Sequence, residues 1–237
     1  MPSGPLAVRW LALDVPRIEA GVLAPARVEL ENAGTAAWRD LNLSYHWLDE
    51  RGNPILWDGV RTPVEAEPGE RRALDAPLRG PIPPGPYRLA FDLVDERRFW
   101  LAELGNHSPT VEVIVAPRDA AAARAYIPDS VETAPDWQER VTRAHTEGYA
   151  AVGGSLAPDG GRLRRAAPEA LEPYAPGGGR NPAFAHPLVC PSLLPPLEPN
   201  TEVFGLPAWR PEGDEPWIYD ARIALRLRPR GRMRPPT

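Results

Sequence analysis

The sequence contains no lysine and only one cysteine, Cys190, among its 237 residues. A single cysteine excludes a disulfide framework within the chain and a zinc site built from several thiolates, and it is interpreted as a small buried side chain. The histidines show no spacing typical of metal ligands; they are His46, His107, His145 and His186. The sequence therefore predicts neither a metal site nor a cofactor.

The chain also lacks an excess of positive charge, since 27 arginines face 32 acidic residues and the net charge is −5. A nucleic-acid-binding protein ordinarily presents a basic surface, so no nucleic-acid partner is predicted. No apolar run approaches the roughly 18 residues that crossing a bilayer requires. Residues 1–16 lack the basic and apolar regions of an export signal. The expectation is a protein without a transmembrane segment and, by default, a cytoplasmic one.

Catalytic signatures are missing as well. The sequence contains no nucleophile elbow of the G-x-S-x-G kind, no H-E-x-x-H motif and no Asp-x-Asp pair. The glycines at 153–154 and 177–180 are candidates for cradling a phosphate, but a flexible turn is favoured for both. Asp214 and Glu215 resemble the acidic half of a sugar-binding or sugar-cleaving set, and an exposed loop is favoured there. No catalytic residue is predicted.

What the chain does contain is proline, with 32 residues against an average usage of about 5%. Proline interrupts helices and central strands, so short strands joined by turns are expected. Between residues 6 and 116, apolar and polar residues alternate with a period of two, and Gly, Pro and Asn separate the runs. About seven short strands predict an immunoglobulin-like antiparallel β-sandwich over residues 1–116. Residues 117–237 are predicted to be an irregular, proline-rich α+β segment with a basic tail, which makes the fold class mainly β.

The alternation also places individual side chains. Trp10 and Ala12 are expected on one face of the first strand, and Trp47 is expected to point into the core from the third. His46 and Asp92 then lie on solvent-facing sides of their strands, and His46 is interpreted as a surface histidine.

The stretch ENAGTAAW, residues 31–38, ends the second strand. Asn32 and Gly34 indicate a turn there, because both residue types tolerate a positive φ. Trp38 follows where the chain crosses to the next strand, and its ring is expected to close one end of the sandwich.

Several motifs of the first half occur together in order: residues 32–38, 66–70, 84–89 and 91–94, with Trp100 after them. They resemble the bacterial immunoglobulin-like modules that are related to four-tryptophan domains, and the resemblance covers about residues 4–116. It implies an accessory unit for recognition or spacing, often found beside glycosyltransferases or other polysaccharide-handling proteins, with no chemistry of its own.

The second half combines helix and strand signals. The alanine content of residues 118–127 favours a helix, and residues 136–148 have the acidic first turn and terminal glycine of another. Predicted strands are 149–152 and a last strand made of 217–220 and 223–225. The Pro- and Gly-rich stretch 176–199 is predicted to be extended coil. Residues 145–195 resemble parts of family-2 glycosyltransferases.

Trp57, Asp58, Arg61 and Trp100 are the candidate ligand-binding residues. Exposed tryptophans beside carboxylates bind sugars by stacking on the apolar face of the ring, although core or strand-end packing is the favoured interpretation of both tryptophans. We expect a non-catalytic recognition or accessory module in bacterial glycan or cell-envelope metabolism, which binds a polysaccharide or a glycan-processing protein. Two alternatives stay open. They are a glycosyltransferase-related enzyme with a divergent catalytic portion in residues 117–237, and a structural module for protein–protein assembly.

Overall fold

A computed structural model describes residues 4–157, 187–203, 205–211 and 213–227. These residues divide into two compact units, of which the first ends at Arg118 and the second begins at Asp119. Strands dominate both units, so the predicted mainly-β class is confirmed.

The first unit consists of two antiparallel sheets. Its strands are β1 (Val8–Asp14), β2 (Leu23–Asn32), β3 (Trp38–Leu48), β4 (Pro54–Leu56), β5 (Thr62–Ala66), β6 (Arg71–Arg79), β7 (Gly85–Asp95), β8 (Phe99–Trp100) and β9 (Thr110–Val115), and a 3₁₀ turn, Leu101–Leu104, follows β8. The first sheet has the order β1-β2-β6. The second sheet has the order β4-β3-β7-β8, with β5 paired to β3 and β9 paired to β7. Both sheets contribute to one apolar core, which makes the unit an antiparallel β-sandwich.

Trp47 joins the two layers of the sandwich. Its side chain is fully buried, and its Nε1 donates a 2.8 Å hydrogen bond to the carbonyl oxygen of Arg79. Arg79 belongs to β6 of the first sheet, whereas Trp47 belongs to β3 of the second. The hydroxyl of Tyr45 accepts a 2.8 Å bond from the Arg79 backbone N–H. The predicted inward position of Trp47 is confirmed.

Strand β1 departs from simple alternation at its centre. Its pairing with β2 shifts register between Trp10 and Ala12, which marks a β-bulge. Beyond the bulge Ala12 is exposed, while Leu13 is half-buried and packs against the core. The expectation that Ala12 shares the core-facing side with Trp10 is therefore wrong, because one extra residue reverses the alternation.

The turn after β2 is built around a buried asparagine. Asn32 Oδ1 accepts a 3.0 Å bond from the Gly34 N–H, and its Nδ2 donates 2.9 Å bonds to two carbonyl oxygens, those of Ala36 and Ala66. Neither Asn32 nor Gly34 has a positive φ, so the expected reason for these residue types is wrong. A Cβ on Gly34 would lie 2.3 Å from the carbonyl oxygen of Pro5, and this close backbone approach is what requires glycine.

The second unit combines one helix with two sheets among its described residues. The elements are β10 (Arg124–Ala125), β11 (Val131–Thr133), α1 (Trp137–Glu147), β12 (Ala151–Ala157), β13 (Leu188–Val189), β14 (Ser192–Leu193), β15 (Thr201–Val203), β16 (Leu206–Trp209) and β17 (Trp217–Leu227). Five strands form a mixed sheet in the order β10-β14-β12-β17-β11, in which β12 and β17 are parallel. The order β13-β16-β15 makes a separate antiparallel sheet. Helix α1 packs through Val141 and Ala144 on the mixed sheet.

The predictions for the second unit have mixed outcomes. The helix predicted over 136–148 is confirmed as α1, and the predicted last strand is confirmed as β17. The helix predicted over 118–127 is wrong, because this stretch contains turns and the short strand β10, which pairs with β14. Just after β10, the Tyr126 N–H donates a 2.9 Å bond to the carbonyl oxygen of Pro191. Strand pairing thus overrides the weak helix preference of alanine.

The glycines at 153 and 154 lie inside β12, so they form neither a phosphate-binding loop nor a flexible turn. A Cβ on Gly153 would come within 2.9 Å of the Leu188 side chain, and one on Gly154 within 2.6 Å of the Ile223 carbonyl oxygen. Close packing is therefore the reason for both glycines.

The coil predicted over 176–199 is described only from residue 187 onward, where the short strands β13 and β14 replace part of it. The glycines at 177–180, His186 and the arginine-rich tail beyond residue 227 lie outside the described residues.

Candidate functional site

The structure brings the four predicted ligand-binding residues together on the outer face of the second sheet. Trp57, Asp58 and Arg61 lie in the segment that connects β4 to β5, and Trp100 ends β8. The rings of Trp57 and Trp100 are 6.2 Å apart and nearly perpendicular, at 75°. The Arg61 guanidinium lies 5.0 Å from the centre of the Trp100 ring. Their role in ligand binding stays a prediction.

The β4–β5 segment reaches this face because a glycine lets it approach the sheet. The Gly59 N–H donates a 3.0 Å hydrogen bond to the carbonyl oxygen of Tyr45 on β3. A Cβ on Gly59 would lie 2.6 Å from the Tyr45 ring, so a larger residue would push the segment away. The segment covers side chains that alternation places in solvent, and Ser44 is consequently 1% exposed.

His46 lies beneath the segment, and its interpretation as a surface histidine is wrong. The side chain is only 4% exposed because the Trp57 ring stacks on it at 4.0 Å and the Trp100 ring packs edge-on at 4.3 Å. Its Nδ1 contacts the backbone carbonyl oxygen of Trp57. Burial lowers the pKa of His46, so the ring is neutral at pH 7 and Nδ1–H is the donor in this contact.

We call the three rings of Trp57, His46 and Trp100 the Trp57 platform. Trp57 is its outermost member and is 47% exposed, whereas Trp100 is 9% exposed. One face of the Trp57 indole is covered by the parallel His46 ring, at an interplanar angle of 21°. The exposed surface of Trp57 therefore includes the opposite face of the indole, which is the face a ligand ring can stack on.

Arg61 is the hub of the polar contacts around the platform. Its guanidinium donates to Asp58 at 2.8 Å, Glu96 at 2.6 Å, the Ser44 hydroxyl at 2.9 Å and the Gly59 carbonyl oxygen at 2.7 Å. Burial alone lowers the pKa of Arg61, but the hydrogen bonds to Asp58 and Glu96 outweigh it and leave that pKa above its ordinary value. Arg61 thus pins the β4–β5 segment to the sheet.

Asp92 is a buried carboxylate on the same face of the second sheet. It is 2% exposed and lies opposite Ser44 in the β3–β7 pair. Its oxygens accept hydrogen bonds from the Leu93 N–H at 2.7 Å and from the Ala102 N–H at 3.2 Å. Burial raises the pKa of Asp92 to about 6. Through Ala102 it anchors the 3₁₀ turn that follows Trp100.

The sequence gives no signal for the roles of His46 and Asp92. Both follow the alternation correctly, since their side chains leave the core face of the sheet. What alternation does not report is a loop folded over that face. The glycine at position 59, between a tryptophan and an arginine, is the one local hint of such a close approach.

The second unit contains a cleft of about 290 Å³ between α1 and β17. Arg140 on its wall binds Asp136 at 2.6 Å and lies 3.6 Å from Asp220. Arg222 binds Asp220 at 2.8 Å. Arg143, which is also on the wall, lies 3.5 Å from Glu147, so each of the three arginines is paired with a carboxylate and offers no unpaired positive charge to an anion.

A serine and a histidine meet in the interior of the second unit. His145 Nε2 lies 2.9 Å from the Ser192 hydroxyl, and its Nδ1 lies 2.8 Å from the carbonyl oxygen of Tyr149. This is the spacing of a nucleophile and its base. Ser192 is only 3% exposed and His145 is fully buried, so a substrate has no access to either. The pair instead fixes α1 to β14.

The remaining candidate residues, Cys190, Asp214 and Glu215, do not form a site. Cys190 is buried as predicted, and burial raises the pKa of its thiol far above the ordinary value, which makes it unreactive. Asp214 is exposed in the loop before β17 and Glu215 is half-buried.

Among the described residues, no group of three or more His, Cys, Asp or Glu side chains is placed to hold a metal ion. In the same residues, no helix is long and apolar enough to cross a membrane.

No family model and no curated protein matches the chain. A β-glucosidase from Listeria innocua in complex with gluconolactone shares 14% identity, over 46% of this chain and 16% of its own, with a TM-score of 0.31. A putative β-galactosidase from Bacteroides fragilis shares 12% identity, over 65% of this chain and 20% of its own, with a TM-score of 0.27. A PapD-like domain of human CEP192 shares 18% identity, over 48% of this chain and 84% of its own, with a TM-score of 0.22. The chain spans 16% of the length of the β-glucosidase, and likeness at these scores carries no argument about function.

Proposed function

We propose that the first unit is a non-catalytic recognition module of glycan metabolism, which binds carbohydrate on the Trp57 platform. The observation that supports this most strongly is the exposed indole of Trp57, which lies flat against the buried ring of His46. Exposed aromatic surface with a polar rim is typical of binding sites rather than of ordinary protein surface.

The stacking geometry suits a sugar ring. The apolar face of a pyranose packs on the face of an indole, and such contacts bury large area at little entropic cost. Because His46 and Trp100 hold the indole in place, a ligand meets a platform that is already ordered. Ordering the side chain before binding reduces the free energy that binding must supply.

The carboxylates of Asp58 and Glu96 form a polar rim beside the platform, and this rim suits sugar hydroxyls. Asp58 and Glu96 each bind Arg61 through one carboxylate oxygen, Oδ1 and Oε1 respectively. Their side chains are 35% and 47% exposed, so the second oxygen of each is positioned to accept a hydrogen bond from a hydroxyl beside the platform.

The arrangement of carboxyl groups around the platform favours recognition over hydrolysis. Glycoside hydrolysis requires one carboxyl group that is protonated at working pH and within reach of the leaving oxygen. Asp58 and Glu96 are both ion-paired to Arg61. Asp92 has the raised pKa of a general acid but is 2% exposed. Of the carboxyl groups beside the platform, Asp58 and Glu96 are ion-paired, Asp92 is buried, and the exposed Glu103 accepts a 3.2 Å hydrogen bond from the Trp100 N–H.

The test is a binding screen of the full chain against soluble neutral, amino and acidic polysaccharides, followed by calorimetry on the oligosaccharides that bind. Trp57→Ala removes the stacking surface, and we expect at least about a tenfold loss of affinity, or about 1.4 kcal/mol. Trp57→Phe keeps an aromatic ring and is expected to lose less.

Leu23→Ala is the matched control, because Leu23 is an apolar side chain that is 46% exposed, like Trp57, but lies on β2 of the other sheet. We expect its affinity to equal that of the wild type. Absence of binding across the whole screen, or equal binding by the wild type and Trp57→Ala, would refute the proposed function.

A further inference from the structure

Arg61, the cation beside the Trp57 platform, has only one N–H group left to donate to a ligand. A guanidinium carries five N–H groups. Four contacts of Arg61 occupy it, to Asp58, Glu96, Ser44 and Gly59. The one N–H that remains is on Nη2, which already donates to Asp58, so an anion that reached it would also meet the negative charge of that carboxylate.

The groups that remain available at the rim are acceptors. Asp58 and Glu96 each keep one carboxylate oxygen outside the Arg61 contacts. Glu103, which is exposed, binds the Trp100 N–H through Oε2 at 3.2 Å and keeps Oε1. Carboxylate oxygens accept hydrogen bonds and repel other anions.

The charges around the platform also favour neutral or cationic ligands over anionic ones. Asp58, Glu96 and Arg61 together carry one net negative charge, and Glu103 adds another. Of the two arginines that follow Glu96 in the β7–β8 turn, Arg98 is paired with Asp95 at 2.6 Å and Arg97 offsets one charge, which leaves one net negative charge. His46 does not offset it, because burial lowers the pKa of His46 and keeps the ring neutral. A partly exposed site with this balance attracts cations and disfavours anions, most strongly at low salt.

From the four contacts that occupy Arg61 and from the free carboxylate oxygens beside it, we infer that the Trp57 platform selects neutral and amino-bearing glycans and rejects glycans with carboxylate, sulfate or phosphate groups. This inference rests on the proposed function. Within the accepted class, an ammonium group placed against Asp58 or Glu96 is bound more tightly than the matching neutral group, by about fivefold for a partly exposed ion pair.

The experiment uses the full chain and three β-1,4-linked tetrasaccharides as probes, made of glucosamine, N-acetylglucosamine and glucuronic acid, alongside neutral glucan, mannan and galactan and their sulfated forms. Affinities are measured by calorimetry at low and high salt, with the glucosamine amines protonated. We expect every bound glycan to be neutral or amino-bearing. The glucosamine tetramer should bind about fivefold more tightly than the N-acetylated one at low salt, with the difference lost at high salt.

Glu96→Gln removes one negative charge beside the platform and keeps an oxygen that accepts the Arg61 N–H, so it should shift the preference towards the uronate. Glu29→Gln is the matched control, since Glu29 is an exposed acid on β2 of the other sheet, and it should change no preference. An acidic glycan that binds the wild type as tightly as its neutral counterpart overturns this inference and leaves the proposed function intact. Absence of any binding overturns the proposed function instead.

Discussion

Replacing Asp92 by asparagine tests the electrostatics beneath the Trp57 platform. The carboxyl is 2% exposed, and burial raises its pKa from the ordinary 3.8 to about 6. An asparagine side chain at this position would be uncharged at every pH, would be nearly isosteric, and would keep an oxygen that accepts the N–H bonds of Leu93 and Ala102. The substitution therefore isolates the cost of the buried charge.

The sign and size of the effect follow from linkage. Well below pH 3.8 the carboxyl is protonated in both the folded and the unfolded chain, so the two proteins should be about equally stable. As the pH rises towards 6 the unfolded chain loses its proton first, and this lowers the free energy of unfolding of the wild type. The difference between 3.8 and about 6 corresponds to about 3 kcal/mol, so Asp92→Asn should gain that much relative to the wild type by pH 8.

The assay is urea unfolding from about pH 3, below the ordinary pKa of 3.8, to about pH 8, followed by the indole NMR signal of Trp47, which reports on the core of the first unit. Subtracting the wild type from the variant cancels the other titrating groups. Asp49→Asn is a control of opposite sign, because hydrogen bonds from Asn53 lower the pKa of Asp49. If the stability difference between Asp92→Asn and the wild type stays constant, or shrinks with rising pH, the claim that burial raises the pKa of Asp92 is refuted.

Three further substitutions test the packing. Trp47→Ala removes the side chain that joins the two sheets and should lower the free energy of unfolding by about 3–5 kcal/mol in urea titrations; a loss below about 1 kcal/mol would contradict its central position. Gly34→Ala places a Cβ against a carbonyl oxygen and should cost about 1–3 kcal/mol, measured by thermal unfolding, and an unchanged melting temperature would count against the close approach. Ser192→Ala removes the hydroxyl bonded to His145 and should lower the stability of the second unit by about 1 kcal/mol without affecting ligand binding, whereas a change in ligand binding would contradict its structural role.

Much of the first unit follows from local patterns. Alternation places Trp47 in the core, and Asp58 and Arg61 meet because they are three residues apart in one segment. These two features need only a strand pattern and short-range spacing, which a sequence contains. The contacts of Trp100 with Trp57 and Arg61 are long-range and depend on the segment that folds over the sheet.

Other features depend on information that no local pattern holds. The bulge in β1 inserts one residue out of step and exposes Ala12. The burial of His46 depends on a segment that folds back over the sheet, and residues 118–127 become turns and a strand because β14 offers hydrogen bonds there. In these cases non-local pairing or packing outweighs a local helix or strand preference of about 0.5 kcal/mol per residue.

The most direct test of ligand binding at the Trp57 platform is an NMR titration of the full chain with ¹⁵N-labelled tryptophan indoles and the tightest oligosaccharide from the screen. The Trp57 signal is assigned by its loss in Trp57→Phe, and the signal of Trp47 serves as the internal reference. We predict that the Trp57 signal shifts most and saturates at the affinity found by calorimetry, while Trp47 stays still. Binding that leaves the Trp57 signal unmoved would contradict ligand binding at the platform.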